Sequence, residues 1–373
     1  MKIALISRGM PSQQYPLYGI FEFDQAKALA KAGHEVSFVA IDFREAKFKR
    51  RHGLFSYDKD GVHIFELSLP IGAYRRGIPL LQRLLLIPFR AMIKKHGLPD
   101  LIHAHFYFIG NIASIIKKRY HTPLIITEHS SKLNKNIQEI SDLDKKIATS
   151  AYRSCDELIC VSEALQERIL SNFKCQSKVA FNIVDTNLFH CQNQAKRLPP
   201  FIYVSVGNLT PNKSFDKLIE AFSMAKDDAR LIIIGDGPER EKLKQHIAVL
   251  GLEAKVSLKG QLDRQKINDI YQESHVFALA SESETFGVSF VEALYAGLPV
   301  IATRCGGPES FVNSSNGLLV PVNDTKALAE AMIKIRENYS SYDLKGISSE
   351  CKRRFSPESI ASTLVEIYQS LFL

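Results

Sequence analysis

Short runs of β-branched and aliphatic residues alternate with longer amphipathic stretches along the whole chain, and this rhythm restricts the possible folds more than any other feature. A run such as "KIALIS" at Lys2–Ser7 is too short and too uniformly apolar for a helix. The "FEFDQAKALAKAGHEV" that follows it places Phe21, Ala28, Leu29 and Ala32 on one helical face before Gly33 ends it. Strand followed by helix, repeated, is the pattern of parallel sheets covered by helices. In the first half the expected strands are Lys2–Ser7, Val36–Ala40, Val62–Leu67, Leu101–Ala104, Leu124–Thr127 and Glu157–Val161. The second half restarts the pattern at Phe201–Gly207, Leu231–Gly237, Lys255–Gly260, Val276–Ala280, Pro299–Thr303 and Gly317–Val320. Between the halves, "FHCQNQAKRLPP" has no periodicity and ends in two prolines, as a linker does.

The expected fold class is therefore α/β, with two doubly wound Rossmann-like domains facing across a cleft. Residues 1–189 form the first, 190–200 the linker and 201–354 the second, and a helix in 355–373 returns to the first. A chain of 373 residues is long enough for each domain to bury its own core. The longest apolar runs, Leu84–Phe89 and Leu231–Gly235, fall far short of the roughly 20 residues that a membrane span needs. The start of the chain runs straight into strand-like sequence, so a soluble protein without a signal peptide is expected. Six cysteines with no C-x2-C pair argue against a structural zinc site and for a reducing cytoplasm. Residues 1–190 hold 27 Lys/Arg against 18 Asp/Glu and the rest 21 against 22, so the net charge of +8 sits in the first half. Such a lobe suits an anionic partner, or is simply a lysine-rich solvated surface.

The most informative stretch is "LASESETFGVSFVEALYAGLPVIAT", Leu279–Thr303. It reads as strand Val276–Ala280, loop Ser281–Phe286, helix from about Gly287 to Ala296, and strand Pro299–Thr303. The exposed N–H groups of Gly287, Val288 and Ser289 would offer a positive helix end to a phosphate. Glu284 and Glu292 stand on either side of that end. A carboxylate accepts hydrogen bonds from sugar hydroxyls and repels phosphate, so two acids flanking an anion hole fit a nucleotide sugar. Taken alone, a loop acid and a helix acid are equally at home on an ordinary surface.

"ETFGVSFVEALYAGLPVIATRCGGPE", Glu284–Glu309, resembles the E-x7-E segment of the retaining GT-B glycosyltransferases, the large glycogen-synthase-like and polysaccharide-assembly group called glycosyltransferase family 4. The resemblance extends over nearly the whole chain. It implies that Glu284 contacts the donor sugar's hydroxyls and that Glu292 binds the nucleotide ribose, with Phe286, Gly287, Val288 and Ser289 between them. "VGNLTPNKSFDKLIEAF" is similar to the stretch where the family holds the donor diphosphate with an Arg and a Lys. Lys213 matches the Lys, and Asn208 stands at the Arg position.

"IIIGDGPEREKLK" is similar to the turn after the second strand of that lobe, with Gly235 and Gly237 allowing close backbone approach. "PLYGIFEFDQA" is similar to the glycine loop after the first strand, with Gly19 near the diphosphate or the transferred sugar. It lacks the G-x-G-x-x-G of a nicotinamide-binding fold. "DLIHAHF" puts His103 and His105 at a strand end, expected on opposite faces of it. The resemblance makes His105 the residue that reaches the donor sugar, and leaves His103 as a core histidine. Glu128 and His129 in "ITEHSS" could equally bind acceptor or tie loops together.

Taken together, these readings imply a hexosyltransferase that uses a nucleotide diphosphate sugar as co-substrate, with neither cofactor nor metal. His105, Glu284 and Lys213 form its catalytic group. The acceptor would be a glycan or lipid-linked glycan, and the setting cell-surface polysaccharide synthesis. No protein general base is assigned, and closure of the lobes is expected to exclude water. A sugar-nucleotide epimerase or hydrolase, or a non-catalytic nucleotide-sugar or glycan binder, would share the fold. The basic segments Phe43–Gly53 and Tyr74–Gly97 carry no nucleic-acid recognition motif. The second mixes Leu84, Leu85 and Ile87 with Arg83, Arg90, Lys94 and Lys95, a composition suited either to a peripheral site on the inner face of an anionic membrane or to an ordinary covering helix.

Overall fold

The structure, a computed structural model, describes residues 1–12, 14 and 15, 18–72, 77–184, 188–191, 200–225 and 228–372. Residues 192–199 of the expected linker, residues 16 and 17 of the glycine segment and residues 74–76 of the second basic segment lie outside the described residues. Contacts divide the chain into two units, Met1–Ile183 with Pro357–Leu373, and Val184–Ser356. The division falls before the expected linker because Phe189 is buried and its ring packs 5.9 Å from that of Tyr271, inside the second unit.

The first unit contains strands β1 (Lys2–Ser7), β2 (Glu35–Asp42), β3 (Gly53–Lys59), β4 (Val62–Ser68), β5 (Leu101–His105), β6 (Leu124–Glu128), β7 (Glu157–Cys160) and β8 (Lys178–Val179). They form one sheet in the order β3-β4-β2-β1-β5-β6-β7-β8, parallel except for the β3–β4 hairpin. Helices α1 (Ile20–Lys31), α2 (Ile78–His96), α3 (Tyr107–Tyr120), α4 (Asp142–Ser154) and α5 (Glu163–Phe173) connect the strands. Strand β3 was not expected from the sequence. It is an edge strand whose side chains alternate between exposed and half-buried, so it lacks the continuous apolar run of its buried neighbours. The Asp60-Gly61 turn, with φ of 52° and 78°, is the hairpin signal that marks it.

The second unit contains β9 (Phe201–Val206), β10 (Ala229–Ile234), β11 (Val256–Leu258), β12 (Val276–Leu279), β13 (Val300–Thr303) and β14 (Gly317–Val320), all parallel in the order β11-β10-β9-β12-β13-β14. Its helices are α6 (Phe215–Met224), α7 (Arg240–Val249), α8 (Arg264–Glu273), α9 (Val288–Tyr295), α10 (Thr325–Glu337) and α11 (Leu344–Phe355). A last helix, α12 (Pro357–Gln369), belongs to the first unit. Its Ile360, Leu364, Ile367 and Tyr368 join Phe23 and Leu29 of α1 and the apolar faces of β1, β2 and β5 in one buried core.

In each sheet the chain first builds outward on one side of a central strand and then on the other. The strand order therefore reverses between β1 and β5 in the first unit and between β9 and β12 in the second. Open parallel sheets bind ligands at such switch points, outside the carboxyl ends of the strands.

Candidate active site

In the second unit, the loops that leave β9 and β12 meet at the switch point. Glu282 N–H donates to the Asn212 carbonyl at 2.8 Å, and the Asn212 amide donates to the Ser283 carbonyl at 3.0 Å. This zipper brings Lys213 to Glu284, whose Oε1 accepts from Lys213 Nζ at 2.5 Å and from Ser281 Oγ at 2.7 Å. The Glu284 backbone is fixed in turn by the glycine pair after β13: its N–H donates to the Cys305 carbonyl, and its carbonyl accepts from Gly307 N–H at 2.9 Å. Two separated pieces of the motif, the acid and the Gly-Gly-Pro-Glu, are thus one bridged backbone structure.

Helix α9 starts at Val288, with Gly287 at its N-cap in the left-handed region (φ 95°). A side chain there would be strained, and the first-turn N–H groups, including those of Val288 and Ser289, have no acceptor within the helix. Phe286 is buried beneath this turn with its ring 5.5 Å from Phe311 and 5.7 Å from Phe355, an aromatic floor that fixes the direction of α9. Glu292, 7 % exposed, accepts from Arg264 Nη2 at 3.0 Å. Arg264 opens α8 and lies over the Phe189 ring. Sequence reasoning missed it, because an Arg just after an N-cap Asp reads as an ordinary surface residue. Burial, and then Glu292, push the nearby Tyr271 hydroxyl well above its usual pKa, so it stays protonated.

Asn208 is exposed at the end of β9 and brings no cation to the family's Arg position. The close approach that makes Gly235 and Gly237 glycines is made by the chain itself. A Cβ on Gly235 would lie 1.9 Å from the Gly207 carbonyl oxygen, and one on Gly237 would lie 2.4 Å from that of Leu209. Gly19 follows the same logic at the start of α1, where the Gly9 carbonyl occupies the space of a side chain.

In the first unit His103 and His105 do not point to opposite faces. Residues two apart on a strand share a face, and the two rings stack with centroids 4.6 Å apart. His103 is a fully paired core histidine, its ring nitrogens 2.6 Å from the Tyr368 hydroxyl and 2.6 Å from Thr127 Oγ1. Burial lowers its pKa to about 3. His105 stands next at the end of β5, with Nδ1 2.9 Å from His129 Nε2, while its buried Nε2 has no hydrogen-bond partner. Burial, reinforced by His103, His129 and Arg8, holds His105 neutral. Glu128 ties loops together: it accepts from the N–H groups of Tyr107, His129 and Ser130 and from the Tyr152 hydroxyl. His105 lies in one unit, and Lys213, Glu284 and Glu292 in the other.

Two doubly wound units, the second with an acid–lysine pair and a helix start at its switch point, define the chain as an α/β enzyme of the GT-B class. It belongs to the glycosyltransferases: a family model described as Glycosyltransferase Family 4 matches residues 23–188, and one described as Glycosyl transferases group 1 matches residues 189–346. Among its relatives is TuaC of Bacillus subtilis, a glycosyltransferase named for teichuronic acid biosynthesis. It is 28 % identical over 359 residues, which cover 90 % of this chain and 89 % of that one. Sucrose-phosphate synthase from Thermosynechococcus elongatus has the same fold, with a TM-score of 0.81 at 22 % identity over 99 % of this chain and 98 % of that one. So does Anabaena HepE in complex with UDP-glucose, at 0.74 and 21 %, over 99 % of this chain and all (100 %) of that one.

Proposed function

We propose that this glycosyltransferase moves a sugar from a nucleotide diphosphate sugar to a hydroxyl of a glycan or lipid-linked glycan, with retention at the anomeric carbon, in cell-surface polysaccharide assembly. The observation that carries the reading is the Lys213–Glu284 pair beside the start of α9, at the switch point of the second sheet. Each charge compensates the other until a ligand supplies a better partner for both: a diphosphate for the lysine, sugar hydroxyls for the acid. As the glycosidic bond breaks, charge grows on the leaving diphosphate. Lys213 and the α9 amides therefore stabilise the transition state more than the bound donor.

Glu292 and Arg264 take the ribose end, and the neutral His105 orients the transferred sugar. The reading assigns no metal to the step. HepE, with the same fold, binds UDP-glucose, and TuaC is named for polysaccharide synthesis; both support this choice of donor and setting. The reaction belongs on the cytoplasmic side, where the exposed basic face of α2 gives an anionic membrane a surface to meet.

Incubation with labelled nucleotide sugars, with and without glycolipid acceptor, tests this directly. Label moving into the acceptor with the anomeric configuration kept is the expected result. Donor conversion without acceptor points instead to an epimerase or hydrolase, and binding without turnover to a silent binder.

A further inference from the structure

The switch point of the first sheet holds a second charged arrangement that the donor chemistry does not use. Arg8 leaves the carboxyl end of β1, and Phe106 leaves that of β5. The guanidinium of Arg8 lies over the Phe106 ring, 4.3 Å from its centroid, and is 5.3 Å from that of Tyr18. Behind it, Glu22 in the first turn of α1 is completely buried, with Oε1 3.5 Å from Arg8 Nε. That separation exceeds the 2.7–2.9 Å of a charge-assisted hydrogen bond. Arg8 Nε has no hydrogen-bond partner, and neither does His105 Nε2 close by; the Glu22 carboxyl has Ser7 and its own N–H near it, and burial raises its pKa.

An arginine kept for architecture looks different. Arg50 donates to Ser68 and to the carbonyls of Asp42, Arg44, Glu45, Phe48 and Leu69. Arg8 is stacked on its face against an aromatic ring and has the Glu22 carboxyl 3.5 Å from its Nε edge, while its side chain is 39 % exposed. A planar fork fixed in this way, with donors unused, matches a carboxylate or phosphate.

We propose that Arg8, positioned by Glu22 and Phe106, binds an anionic group of the acceptor, a carboxylate or a phosphate. The inference rests on the glycosyl-transfer reading only in calling this ligand the acceptor; the anion site is testable without it. Glu22 is a positioning residue, since it is buried behind the guanidinium.

The intact chain is titrated by calorimetry with methyl glucuronide, glycerol 3-phosphate and the neutral methyl glucoside, with the Lys213→Ala variant as background so that phosphate held by the second unit does not count. At least one of the two anions binds and the glucoside does not, and the anion that binds tells which chemistry the acceptor bears. Arg8→Gln weakens that binding about 10-fold or more, as loss of a charged hydrogen-bond pair does. Arg8→Lys keeps the charge without the fork and restores it only in part, and Glu22→Gln changes anion affinity without abolishing it. Equal binding of the glucoside, anion binding unchanged in Arg8→Gln, or no binding of either anion overturns the proposal. Nucleotide diphosphate binding, measured separately on the chain with Lys213 intact, keeps the two readings apart: its absence removes the donor assignment and leaves Arg8-dependent anion binding as its own result.

Discussion

Lys213 and Glu284 illustrate what a single residue contributes to this site, because each is explained by the other as well as by the proposed ligand. Glu284→Gln keeps the shape and the Ser281 contact but removes the charge facing Lys213. Turnover is expected to fall about 100-fold, with nucleotide diphosphate affinity changed by less than about threefold. Lys213→Ala removes the charge that meets the leaving group and is expected to depress turnover about 100- to 1000-fold. Steady-state kinetics with direct nucleotide titration separates these from Glu292→Ala, whose loss appears in nucleotide affinity. A reversed pattern means the two acids have exchanged roles.

The histidines of the first unit give a pH prediction. His103 and His129 are held near 3 by burial, with Arg8 as a further cause for His129, whereas in the unfolded chain they titrate near 6.5. Between those values the unfolded chain binds more protons, so stability is complete above about pH 6.5 and falls as the pH drops, by about 1.4 kcal/mol per pH unit per proton. Urea melts between neutral and acid pH check this, and His103→Gln is expected to flatten the slope by about one proton. Motif order in the sequence points to Glu284, Glu292 and Lys213 as candidates. Nothing local points to Arg8, Glu22 or Arg264, whose partners lie 14 to 98 positions away and are brought close only by the fold.

At the scale of the elements, the apolar strands of both sheets could be read directly, since full burial on two faces leaves a continuous hydrophobic run. The helix after Phe286 could also be read, from Gly287 before it and Gly297 with Pro299 after it. Strand β3 and the two-residue β8 could not, because edge strands are half-exposed and their sequence carries no such run. Helix α12 is the element whose position matters most for the first site. Its Tyr368 hydroxyl meets His103, which stacks on His105, so the last turns of the chain support the histidine row from behind. Leu364 of this helix is 1 % exposed in the shared core. Leu364→Ala is expected to cost about 3 kcal/mol in the first unit's unfolding transition, as buried leucine truncations do. Met224→Ala, at a side chain 48 % exposed on α6 of the other unit, should stay within about 0.5 kcal/mol. Equal effects of the two changes in urea denaturation would mean that α12 does not contribute to the core as described.

For the molecule as a whole, the uneven charge is the property that local motifs do not explain. Among the described residues no helix is long and apolar enough to cross a membrane. Helix α2 offers a face to a membrane surface. Leu80 and Ile87 are 53 % and 44 % exposed, and they alternate with the exposed Arg83, Arg90 and Lys94 along one side of the helix. Leu81, Leu85, Phe89 and Met92 are buried on the other. Exposed apolar side chains also occur singly elsewhere on the chain; what would suit a headgroup boundary is their alternation with arginines along one face of α2. The intact protein is therefore expected to co-sediment with vesicles rich in phosphatidylglycerol, to ignore phosphatidylcholine vesicles, and to be released as salt screens the contact. Removing two cations by Arg83→Gln with Arg90→Gln should cost about 2 kcal/mol, roughly 30-fold in vesicle affinity. Soluble-donor binding in the second unit serves as the folding control. Salt-insensitive binding, or the same affinity for neutral lipid, would reduce the basic half of the chain to a solvated surface and leave its acceptor to arrive through water.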